Sequence, residues 1–194
     1  MSRRCGMLLI QMKEPVEKDL LLRRLGFGHL TPTTLPDELG QVMSKADDYV
    51  VSVAGLGNGW ISLWGQYDFN MLHDVSAKRF VPQLHDAKTL IYYAVEGTSG
   101  ALIYERYDSG TLTQSYLEIE GKPEADRCVG TLPPKDEEFG QVDEWGLLTF
   151  ALPPEVTYEH ISETKHEHFR FRPTLECAPK KSERITKKPW WKLW

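Results

Sequence analysis

The stretch that most restricts what this 194-residue chain can fold into is 88–119, where three apolar runs follow one another with almost nothing between them. The runs 88–95, 99–107 and 111–119 are rich in Val, Ile, Leu and Tyr, side chains that pack well on a pleated surface. Parallel neighbours need a crossover of a dozen or more residues, and these connections are far shorter. The three runs therefore read as an antiparallel meander. Gly97 and Gly100 bracket the first turn, and Asp108, Ser109 and Gly110 read as a three-residue hairpin loop with Gly110 at positive φ.

The flanking sequence adds helices and more strands. Residues 6–12 read as a strand. Pro15 then opens a helix carrying Val16, Leu20, Leu21 and Leu25, which Gly26 and Gly28 end. Thr34 and Asp37 resemble a reciprocal cap on a second helix bearing Leu35, Leu39, Val42, Met43 and Ala46. Tyr49, Val51 and Val53 share a strand face, and Trp60, Ser62 and Trp64 alternate with Ile61 and Leu63 in the next strand. A helix over roughly 70–84 would present Leu72, Val75, Phe80 and Leu84, bent or divided at Pro82. The acidic segment 120–144 reads as loop, with a brief helix near Asp136, and the apolar run 147–152 closes part of the core. His166, His168, Arg170 and Arg172 alternate with Glu167, Phe169 and Phe171, the pattern of a terminal or edge strand. The expected class is α+β, mainly an antiparallel sheet with flanking helices.

Charge divides the chain. Residues 172–194 hold 7 Lys/Arg against 2 Asp/Glu, which leaves the rest at −10 when the whole is −5. The expected organisation is a main α+β domain over 1–171 and a basic, Trp-rich appendage over 172–194. An acidic body gives no support for nucleic-acid binding. No apolar run approaches the roughly 20 residues that span a bilayer, so no transmembrane segment is expected. The basic start MSRRCGMLLIQM is too short in its apolar part for a secretory signal. Cys5, Cys128 and Cys177 are odd in number and far apart, which suits a reducing, cytoplasmic setting better than a disulfide scaffold.

The local motifs have ordinary structural explanations. Gly55-Leu56-Gly57-Asn58-Gly59 lacks the spacing of a dinucleotide or phosphate-binding loop and suits a turn between strands. His73-Asp74 and His85-Asp86 resemble the His-Asp pairs of metal-dependent phosphohydrolases. Twelve helical residues would rise about 18 Å, too far for both pairs to share one ion directly. His166 and His168 fall on one strand face and form the best candidate metal pair, with His160 or Glu163 as additions. No metal or other cofactor is favoured, because a polar strand face explains the same alternation. No cysteine or serine sits in a recognisable nucleophile setting.

The leading expectation is a non-enzymatic protein-binding or regulatory role, through a protein partner or self-association. Trp60, Trp64, Tyr67, Phe69, Tyr104 and Tyr107 are candidate anchors, and Asp136, Glu137 and Glu138 supply acidic complementarity to a basic partner. In bulk character the chain resembles the small acidic α+β proteins that neutralise bacterial toxins, which implies an inhibitor or immunity-type role. The alternative is a metal-assisted hydrolase built from convergent His and acidic residues. At the C-terminus, Lys180 to Lys188 are expected to be exposed, and Trp190, Trp191 and Trp194 to dock on an apolar groove of this chain or a partner.

Overall fold

Alternation of apolar side chains along successive runs, punctuated by positive-φ turns, produces a sheet in which every neighbouring pair is antiparallel. In chain order the elements are β1 (Arg4–Met12), α1 (Lys18–Arg24), β2 (Phe27–Thr33), β3 (Val50–Gly57), β4 (Trp60–Gly65), β5 (Ala87–Glu96), β6 (Ala101–Asp108), β7 (Thr111–Ile119), β8 (Arg127–Val129), α2 (Glu144–Ala151), α3 (Tyr158–Glu163) and β9 (Glu167–Pro173). The structure is a computed structural model, and it describes residues 4–33, 50–65, 77–96, 100–120, 127–137 and 140–173. The nine strands lie in the order β2-β9-β3-β4-β1-β5-β6-β7-β8. Among the described residues sheet dominates and the three α-helices are short, so the α+β expectation is met there only in part.

The meander is β5-β6-β7, antiparallel and unbroken in register from Thr89↔Asp108 to Glu96↔Ala101, and antiparallel from Asp108↔Thr111 to Ala101↔Ile119 with a register shift between Arg106 and Tyr107. Its second turn is tighter than expected. Asp108 pairs with Thr111, leaving Ser109 and Gly110 as a two-residue turn, both at positive φ (47° and 82°). Asn58 and Gly59 (50° and 80°) make the same kind of turn between β3 and β4. Positive φ at both central positions matches the natural twist of paired strands.

Helical elements cover both faces, which is why β4 and most of β5 are buried at consecutive positions. On one face Leu8, Ile10, Val53, Leu63, Leu90 and Tyr92 pack with Leu21, Leu22 and Leu25 of α1 and with Phe80 and Leu84. On the other, Met7, Leu9, Trp64, Ile91, Tyr93 and Tyr104 pack with Leu147, Leu148 and Ala151 of α2 and Ile161 of α3.

Three local expectations need correction. The part of 70–84 that is described forms 3-10 turns, Ala77–Phe80 and Pro82–Leu84, with Pro82 opening the second; Phe80 and Leu84 are buried all the same. The helix expected near Asp136 begins instead at Glu144, where the Asp143 side chain accepts from the Gly146 N–H at 2.5 Å and caps it. β9 follows the other described strands in sequence yet is interior, between β2 and β3, because Phe169 and Phe171 complete the α1-side core. Its pairing with β2 runs through Arg172 and Pro173. The helix proposed from Thr34 and the residues from 174 onward lie outside the described residues.

Candidate functional site

The face covered by α2 and α3 carries rows of side chains running across the strands. One row joins His168, Ser52, Trp64, Met7, Tyr93, Tyr104 and Tyr116 through successive registers. The next joins Ser62, Leu9, Ile91, Arg106 and Gln114. The last, at the end of the sheet, joins Trp60, Gln11, Thr89 and Asp108. Polarity rises along this progression, and the last row, together with Arg106 and the α2–α3 connection at Pro153, Pro154 and Glu155, lines a cleft of about 280 Å³.

Asp108 organises this end of the sheet. Its Oδ1 accepts from Thr89 Oγ1 at 3.0 Å, its Oδ2 from Thr113 Oγ1 at 2.7 Å, and both oxygens from Arg106 Nε at 3.2 and 3.0 Å. Burial pushes the Asp108 carboxyl up, but the bonds from Arg106, Thr113 and Thr89 outweigh it and hold the pKa below its ordinary value. Trp60 is 3 % exposed, and its Nε1–H donates to Glu155 Oε1 at 3.2 Å, which ties the connecting loop to the sheet. Deeper in, the Tyr104 hydroxyl donates to Gln114 Oε1 at 2.8 Å, and burial pushes its pKa up to about 12.

The two strand histidines are brought together but spent on internal partners. His168 Nδ1 lies 2.8 Å from Ser52 Oγ, and His166 Nδ1 lies 2.7 Å from the Thr164 carbonyl, with its Nε2 3.4 Å from Ser62 Oγ. Both rings are buried, and burial holds the His166 pKa below the ordinary imidazole value. His160 is on α3, with Nε2 3.1 Å from the Leu56 carbonyl. Among the described residues no three His, Cys, Asp or Glu side chains are grouped to hold a metal ion. Asp86 of the His85-Asp86 pair is engaged by Arg24 Nη1 at 2.8 Å.

A surface of aromatic anchors requires exposure, and Trp60, Trp64, Tyr104 and Tyr107 do not provide it, since all four are buried in the core. Tyr67, Phe69, Glu138, Trp190, Trp191 and Trp194 lie outside the described residues, while Asp136 is partly buried and Glu137 exposed. Among the described residues the large exposed aromatic is one that sequence reasoning missed. Trp145, on α2, is 55 % exposed and meets Tyr158 of α3 edge-to-face, with ring centroids 5.1 Å apart at 86°. Its place is set from below. Leu147, Leu148 and Ala151 face the sheet, Phe150 meets Tyr104 at 5.6 Å, and the Tyr93 hydroxyl donates to the Glu144 carbonyl at 3.0 Å. Asp143 and Glu144 precede it in the sequence and Glu159 follows Tyr158, and the preceding acidic loop is closed by Asp136 N–H to Gln141 O and Gly140 N–H to Asp136 O, each 2.8 Å.

No family model, no curated protein and no solved structure matches this chain, so its own geometry is the guide to its function.

Proposed function

We propose that this chain is a non-enzymatic protein-binding or regulatory protein, of the inhibitor or immunity type, whose contact surface centres on Trp145 and Tyr158. One observation carries the reading: a large indole is left more than half exposed while being held in one orientation by a neighbouring ring. Leaving such a side chain in water costs apolar contact, whereas Trp is among the residues enriched at binding hot spots. Glu144 adjoins Trp145 in the sequence and Glu159 adjoins Tyr158, which suits a partner with basic groups around an apolar socket.

The test is affinity capture from the source cells with the parent chain and a Trp145→Ser variant, followed by titration with the purified captured protein. The expected result is at least a tenfold loss of affinity in the variant, since hot-spot truncation costs about 2 kcal/mol or more. Equal affinity of the two chains for every captured protein would reject this surface. Sedimentation of both chains separates a foreign partner from self-association.

A further inference from the structure

We propose that the cleft at the end of the sheet is a binding site for a small carboxylate, held by Arg106, Lys88 and the Gln11 amide with its hydrocarbon part against Pro154. This goes beyond the protein-binding role and rests on different residues. The hydrogen-bonding capacity left open in the cleft is unequal in kind. Asp108 already accepts from Thr89, Thr113 and Arg106, and Glu155 Oε1 already accepts from Trp60. The donors are far less occupied. Among the described residues the side chains of Gln11, Lys88 and Ser109 have no hydrogen-bond or ion-pair partner, although all three line the cleft. Arg106 bonds Asp108 through Nε, which fixes the plane of the guanidinium; the Tyr104 hydroxyl and the charge of Glu155 also act on it, and among the described residues no carboxylate forms an ion pair with its two terminal nitrogens. A guanidinium oriented in this way is suited to the two oxygens of a carboxylate.

The rest of the lining sets the size and shape of the ligand. Pro154 supplies an exposed apolar wall, with the buried Trp60 and Pro153 at its base, and about 280 Å³ is at the small end of ligand pockets. That combination of open cations and donors with a flat apolar side describes a small, largely apolar acid rather than a sugar or a nucleotide. Glu155 is the one carboxylate at the site with an oxygen unbonded in this structure, so its charge works against the ligand and limits affinity.

Benzoate is a suitable probe and benzamide its neutral counterpart, both titrated calorimetrically into the full chain. Benzoate is expected to bind, benzamide at least tenfold more weakly, and Arg106→Gln to lose at least tenfold, as for loss of a charge-assisted pair. Lys88→Gln is expected to weaken benzoate by roughly threefold and Glu155→Gln to strengthen it by roughly threefold, as partly exposed charges do. Absence of benzoate binding at millimolar concentration, or equal binding of benzamide, overturns the proposal. Should Arg106→Gln not fold, the opposite signs at Lys88 and Glu155 decide the matter, and equal or same-direction changes overturn it. Trp145→Ser should leave benzoate binding unchanged, so failure here and failure of the partner surface are read separately.

Discussion

Gly59 and Gly110 offer a controlled comparison, because both hold the second position of a two-residue turn with nearly equal φ, 80° and 82°. Replacing either by Ala incurs the left-handed backbone penalty of a residue with a Cβ, about 1–2 kcal/mol. The surroundings differ. At Gly110 a Cβ would meet its nearest neighbour, Val81 Cγ1, at an ordinary 3.5 Å. At Gly59 it would stand 2.7 Å from the Met12 carbonyl oxygen, a backbone atom, in a place where Met12 N–H donates to Gly59 O at 2.9 Å. Relief requires movement of β1 against the β3–β4 turn, and overpacking of this kind costs about 1–3 kcal/mol more. Gly110→Ala should therefore lose about 1.5 kcal/mol and Gly59→Ala about 3.5 kcal/mol by urea unfolding. At about 2–4 °C per kcal/mol for a chain of this size, the melting temperatures of the two variants should differ by about 4–8 °C. Equal losses would refute the close approach as a cause, and a loss at Gly59 below that at Gly110 would refute the register of Gln11 with Trp60.

Asp108→Ala should cost about 2 kcal/mol in chemical denaturation, since three side chains lose their acceptor at a site about a third exposed, where solvent screening trims the effect. Leu148→Ala, emptying a buried site under α2, should cost about 2–5 kcal/mol by the same measurement. Trp145→Ser should cost no more than about 1.5 kcal/mol, because it forfeits chiefly one edge-to-face contact; a larger loss would mean that the indole is structural. Acid should destabilise the fold in two stages. His166 has a lowered pKa when folded, so the unfolded chain takes up its proton first; stability is full above about pH 6.5 and falls as the pH drops through that value. Asp86 and Asp108, also lowered, contribute stability above about pH 4 that is lost below it. Urea midpoints from pH 8 to 3 check both stages, and His166→Gln should remove the first.

The meander, the strand at 6–12, the β3–β4 hairpin and the alternation of Trp60, Ser62 and Trp64 against Ile61 and Leu63 could be read directly, because each is a local pattern that short connections leave no room to reinterpret. What escaped depends on pairing between distant segments. β9 has the alternation of an edge strand, and only the insertion of Phe169 and Phe171 beneath α1 shows that it is interior. The cleft has no local signature at all. Gln11, Trp60, Thr89 and Asp108 belong to four strands and meet only through register, which one sequence does not specify. Trp145 follows directly on Asp143 and Glu144, and that adjacency of an indole to the acidic segment was the one available hint.

The insertion of β9 between β2 and β3 bears on how a cell makes this protein. Val50, Val51, Ser52 and Val53 face Arg170, Phe169, His168 and Glu167 across that seam, so one edge of β3 lacks these partners until residues 167–170 have been synthesised. During translation β1, β3, β4 and the meander can assemble in advance, leaving a valine-rich margin open on the growing sheet. Unpaired margins of this kind recruit strands from other molecules. Nascent chains stalled before residue 167 should accordingly associate with one another or with chaperones, and release of the final strand should be the step that makes each molecule self-sufficient.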